Sequence, residues 1–96
     1  MFQKLEAVEE RYEELNKKIS DPEVIARNDE WRNYMKEHAN LVDLVEKYRE
    51  YKKAKTGLEE AKQMLEDKDL KELAEMEIEE LKEKIPVLEE ELKILL

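Results

Sequence analysis

From Asn28 to Asp67 the chain carries one apolar stripe: Trp31, Tyr34, His38, Leu41, Val45, Tyr48, Tyr51, Ala54, Leu58, Ala61 and Leu65, with gaps of three or four residues. That spacing is helical. One uninterrupted helix over this stretch would run roughly 60 Å at 1.5 Å per residue, far beyond an average globular helix, so its seam needs cover from the flanking segments. Ahead of it, Leu5, Val8, Tyr12, Leu15 and Ile19 alternate by three and four among Glu, Lys and Arg, which predicts a first helix over about 2–19. Behind it, Leu70, Ala74, Ile78, Leu81, Ile85, Leu88, Leu92 and Leu95 predict a further helix up to residue 96.

The boundaries follow from local chemistry. Ser20-Asp21-Pro22-Glu23 ends the first helix, because the residue before a proline is pushed out of the α region. Asp21 can cap a new turn with Pro22 at its first position, which predicts a short helix from Pro22 to about Arg27 that folds Val24 and Ile25 back onto the bundle. Asn28 is expected to cap the long helix, with Asp29 and Glu30 favourably placed in its first turn. Val42 and Leu44 widen the seam, enough for two neighbours. Two short gaps between Tyr48 and Ala54, followed by Gly57, allow a bend, since glycine costs about 1 kcal/mol relative to alanine inside a helix. Leu58, Ala61 and Leu65 nevertheless resume the seam and favour continuity. The chain is expected to turn at Glu66-Asp67-Lys68-Asp69, where Asp69 and Glu72 have the spacing of a capping box. Pro86, which removes one backbone hydrogen bond at a cost of about 3 kcal/mol, predicts a bend or a break near Glu83 to Pro86.

The expected fold class is therefore all-α. It is an elongated antiparallel helical bundle made of a long αα-hairpin, about 28–67 and 69–96, with the shorter N-terminal helix, about 2–19, packed on one end. One helical domain over 1–96 is expected, with three helices at the end holding Trp31 and Leu92 and two at the tip holding Leu65 and Leu70. Ala54, Ala61 and Ala74 let the hairpin backbones approach closely.

Composition supports long helices: charged residues make up 47% of the 96 positions, against one Gly and two Pro. Without cysteine there are no disulfides or thiolate metal sites. Charges at Lys4 and Glu6 interrupt any signal-like run at the start, and no stretch has the length of a membrane span, so a cytoplasmic location away from membranes is expected. The net charge of −9 is uneven: residues 1–58 hold 12 Lys/Arg against 13 Asp/Glu, and residues 59–96 hold 6 against 14. The acidic C-terminal part is a poor phosphate-binding surface and better suited to a basic protein surface.

No constellation for catalysis emerges, and neither an enzyme activity nor a cofactor is expected. His38, the single histidine, has no cysteine or second histidine to share a zinc ion and reads as a seam residue with one ring nitrogen satisfied locally. Met35 stands where a helical di-iron motif needs a glutamate. Asp67-Lys68-Asp69 begins like a calcium loop, but Lys71, Glu72 and Ile78 occupy its required ligand and glycine positions. Glu13-Glu14, Glu59-Glu60, Glu79-Glu80 and Glu89-Glu90-Glu91 read as solvated helix faces, because adjacent residues on a helix point in different directions. Lys47, Arg49, Lys52, Lys53 and Lys55, interleaved with Tyr48 and Tyr51, could touch RNA phosphates, but Glu46 and Glu50 among them favour an ordinary face with i,i+4 pairs.

Several runs carry a resemblance. Lys4-Leu5-Glu6-Ala7-Val8-Glu9-Glu10-Arg11-Tyr12-Glu13-Glu14-Leu15-Asn16 and Ser20-Asp21-Pro22-Glu23-Val24-Ile25 closely resemble the N-terminus of the bacterial class-1 peptide chain release factors of the type that reads UAA and UAG. Lys36-Glu37-His38-Ala39-Asn40-Leu41, Tyr48-Arg49-Glu50-Tyr51-Lys52, Glu59-Glu60-Ala61-Lys62-Gln63-Met64-Leu65-Glu66 and the final Leu92-Lys93-Ile94-Leu95-Leu96 continue it in order, so it covers essentially the whole chain. Pro86 departs from an uninterrupted family helix, and the Gly-Gly-Gln and Pro-x-Thr motifs of the family's later domains are absent, so no catalytic or codon-reading residue carries over. The resemblance implies part of a translation termination factor, a helical arm directed at the ribosomal stalk base near protein L11 and in communication with the release-factor GTPase. The candidate contact is the tip: Leu65, Glu66, Asp67, Lys68, Asp69, Leu70 and Leu73. The alternative is a coiled-coil assembly protein whose seam pairs with copies of itself, and even as a release-factor domain the isolated chain could dimerise through surface that the family's later domains normally cover.

Overall fold

The computed structural model describes residues 1–96 and is all-α. Its helices are α1 (Phe2–Ile19), α2 (Pro22–Ala26), α3 (Asn28–Met64) and α4 (Lys71–Leu95). The chain divides into two compact units, Met1–Glu46 and Lys47–Leu96, and α3 contributes residues to both.

In the first unit, α1 and the N-terminal half of α3 run antiparallel. Cross-helix pairs fix this: the last residue of α1, Ile19, meets Trp31 near the start of α3, whereas Asn16 and Arg11, earlier in α1, meet His38 and Glu37 further along α3. The connection is built as its sequence dictates. Ser20 Oγ donates back to the Asn16 carbonyl, while Asp21 Oδ1 accepts the Glu23 N–H at 2.9 Å with Pro22 at the first helical position. Val24 is buried, whereas Ile25 points outward, so only one of the two aliphatic side chains expected to fold back does so. The residue that accepts the first hydrogen bond of α3 is Arg27, whose carbonyl takes the Trp31 N–H at 3.0 Å. Asn28 is therefore the first helical residue and not the cap, because the α2 turn places its own C-cap, Arg27, in that role. Leu5, Leu15 and Val45 are fully buried here.

In the second unit, the C-terminal half of α3 and α4 form the expected antiparallel hairpin. Lys47 faces Glu91, Tyr51 faces Glu89 and Gly57 faces Leu81. The buried side chains are Tyr48, Tyr51, Ala54 and Ala61 from α3 and Ala74, Ile85, Leu88 and Leu92 from α4. Ala61 and Ala74 have no exposed surface, the small side chains permitting close helix approach. The apolar stripe of α3 repeats at intervals averaging less than 3.6 residues, so it drifts around the helix.

Neither Gly57 nor Pro86 interrupts its helix. Helix α3 runs through Gly57, and a Cβ there would meet Leu81 Cδ1 at 3.5 Å, an ordinary contact. Helix α4 runs through Pro86, with Ile85, Leu88 and Leu92 carrying the buried stripe past it.

Candidate functional site

All seven candidate tip residues lie in one turn and the first helical residues after it. Helix α3 ends at Met64, three residues before the expected boundary, and unwinds through i→i−3 hydrogen bonds from the N–H groups of Leu65, Glu66 and Asp67. These bonds satisfy carbonyls that a helix end would otherwise leave free. Asp67 then organises the turn. Its side-chain Oδ1 accepts the Asp69 N–H at 2.9 Å, and its backbone carbonyl accepts the Leu70 N–H at 3.1 Å. The capping box expected from Asp69 and Glu72 does not form: Leu70 occupies the cap position of α4 without a side-chain bond, because the Asp67 turn delays the helix start to Lys71. Glu66, Asp67, Lys68 and Asp69 are exposed, Leu65 is half-buried, and Leu70 and Leu73 expose much of their surface. The turn presents three carboxylates against one ammonium, with two leucines beside them.

The other residues considered at the sequence level serve the fold. His38 stacks on Tyr12 with ring centroids 4.4 Å apart, and its Nε2 lies 2.7 Å from Asn16 Oδ1, as the seam reading requires. Trp31 Nε1 donates to the Ile19 carbonyl at the end of α1, and Lys18 lies over the Tyr34 ring. Arg11 forks onto Glu37, Nε to one carboxylate oxygen and Nη2 to the other. That hydrogen bonding holds the Glu37 carboxyl below its ordinary range. This pair was not legible in the sequence, where its members stand 26 residues apart in runs rich in both charges.

Part of the basic cluster is also committed to packing. Lys47 Nζ reaches Glu91 at 2.6 Å, and this bond raises the Lys47 pKa. Lys52 covers the Tyr48 ring. The carboxylate run 89–91 is likewise divided, with Glu89 accepting from Tyr51, Glu90 pairing with Lys93 and Glu91 pairing with Lys47. An open groove of about 640 Å³ lies beside Ala54 and Gly57, where two small residues leave α3 thin. Glu50, Glu60, Lys53 and Lys84 give its rim mixed charge, and Lys84 is held by Glu50 at 3.4 Å.

Residues 8–96 match the PCRF domain. The chain belongs to this family. Over its whole length it is 53% identical to peptide chain release factor 1 of Alkaliphilus oremlandii, 50% to that of Caldicellulosiruptor saccharolyticus and 48% to that of Clostridioides difficile. It spans 28% of the length of each of these relatives. No solved structure matches it. The resemblance to class-1 release factors is thereby shown, and within this PCRF chain no helix is long and apolar enough to cross a membrane.

The hairpin of the PCRF chain carries a pH-sensitive bond. Tyr51 O–H donates to Glu89 Oε1 at 3.2 Å, and burial, reinforced by the Glu89 charge, holds the phenol above its ordinary range. The folded state binds this proton more tightly than the unfolded chain. Its stabilisation is therefore complete below the ordinary phenol pKa of about 10 and is lost as pH rises through the higher folded value. Urea midpoints measured from about pH 9 to about pH 11 are expected to fall, with Tyr51→Phe showing a shallower fall. An equally steep fall in the variant would assign the effect to other groups.

Proposed function

We propose that this chain is the arm of a translation termination factor of the UAA/UAG-reading type, and that it acts by contact and not by chemistry of its own. The observation that carries the reading is the family match over residues 8–96, together with relatives that are peptide chain release factor 1. Its partner in this reading is the ribosome at the stalk base, in the region of protein L11, with the release-factor GTPase as a second partner. Such work places it in the cytoplasm.

The contact we assign to the tip, Leu65 to Leu73, follows from its chemistry. Two helices hold the turn, Asp67 fixes its backbone, and Glu66, Asp67 and Asp69 stand in solvent where they attract basic protein surface without a desolvation cost in the free state. Leu70 and Leu73 supply apolar area to bury at the centre of such a contact. In the full-length factor, the triple substitution Glu66→Lys, Asp67→Lys and Asp69→Lys is expected to slow ribosome association by about tenfold, with a smaller effect at high salt. Stopped-flow binding to stop-codon ribosomes measures it. Unchanged association and termination kinetics would remove the tip from the interface.

A further inference from the structure

Helix α4 carries a second stripe, on the side facing away from α3. Leu73, Met76, Glu80, Glu83, Val87 and Ile94 recur at helical spacing, with Glu90 completing the three-four alternation before Ile94. Its apolar members are 49%, 62%, 56% and 82% exposed in chain order, while the opposite stripe through Ala74, Ile85, Leu88 and Leu92 is buried. A helix whose outer face had no partner would be expected to carry polar residues there. Here four large apolar side chains share one line with glutamates.

We propose that this outer stripe of α4 is a docking face for a basic amphipathic helix of a partner protein. Charge decides the occupant. From Glu66 to Glu83 the chain has nine acidic residues against three lysines, and Glu72 and Glu79 border the stripe on one side. Of the four lysines on α4, Lys84 is paired with Glu50 and Lys93 with Glu90, which leaves only Lys71 and Lys82 against the glutamates of the stripe and its border. A second copy of the chain would bring the same glutamates face to face, and a nucleic acid would meet a surface of its own sign. A helix with leucines in register and lysines beside them satisfies both parts of the stripe: its apolar seam covers Met76 and Val87, and its ammonium groups reach Glu80 and Glu83 while their stems lie on apolar surface. This face lies mostly outside the tip, sharing only Leu73 with it, and the inference stands whether or not the tip binds the ribosome.

Two synthetic peptides test it in titrations with the protein. One has heptads with leucine at the a and d positions and lysine elsewhere; the other replaces each leucine with serine at equal charge. The leucine peptide is expected to bind about tenfold tighter or more, and Met76→Ser with Val87→Ser to abolish that advantage while circular dichroism stays unchanged. Glu80→Gln with Glu83→Gln is expected to weaken binding and flatten its salt dependence. Equal binding of both peptides would reduce the attraction to diffuse charge, and preference for leucine that survives the Met76/Val87 substitution would place it on another face. Either result overturns the proposal. So does a concentration-dependent dimer of the protein that the same double substitution dissolves, since the stripe would then belong to a second copy.

Discussion

Replacing Pro86 with alanine is expected to raise the unfolding free energy by about 2 kcal/mol. Pro86 is exposed and sits well inside α4, which continues unbroken from Lys71 to Leu95. A proline has no N–H, so the Lys82 carbonyl four residues earlier lacks its helical partner, and the ring crowds that same carbonyl. An interior proline costs about 3 kcal/mol in a helix, and its stiffening of the unfolded chain returns about 0.4–1 kcal/mol of that. The helix tolerates the cost because the burial of Ile85, Leu88 and Leu92 on the opposite side holds it together. At about 4–8 °C per kcal/mol for a chain of this size, the gain is large enough to read in a thermal melt. A neutral or destabilising result would mean that the geometry Pro86 imposes is what seats Ile85 and Leu88.

Leu15→Ala should have the opposite sign and a comparable or larger size, a loss of about 3 kcal/mol within a range of about 2–5 kcal/mol. Leu15 has no exposed surface, and it shares the core of the first unit with Leu5 and Val45. An 18-residue helix is marginal in water by itself, so α1 holds its conformation mainly through this burial. Against a total stability of about 5–15 kcal/mol, the loss is a large fraction. Urea unfolding measures the magnitude, and amide exchange locates it: residues of α1 and the N-terminal half of α3 should lose protection first. Glu14→Ala, one residue away and exposed, should change stability by less than about 0.5 kcal/mol. A loss below about 1 kcal/mol for Leu15→Ala would mean that the site collapses to fill the space.

The helices, their order and the turn at Asp21-Pro22 were legible because each depends on residues within one or two turns of one another. Periods of three and four mark a helix wherever it later packs, and Asp21 caps its turn through a bond to Glu23, two residues on. The family was legible for a similar reason, since ordered runs along the whole chain carry it. Local reasoning failed where two local solutions compete. Asp67 and Asp69 can each bond a nearby N–H, and the turn through Asp67 prevailed because its side chain and carbonyl satisfy two donors together. Arg27 displaced Asn28 as the cap of α3 in the same way, through the neighbouring turn of α2.

The sequence by itself therefore determined that the chain is helical, where its seams lie and which family it belongs to. Only the tertiary structure decided which seam residues are dry, that Ile25 faces out while Val24 does not, that Arg11 holds Glu37, and that Leu73, Met76, Val87 and Ile94 remain uncovered on α4. The physical reason is that helical spacing specifies a face but not what meets it. Partners such as Tyr51 and Glu89 stand 38 residues apart and come together only when the antiparallel register is set.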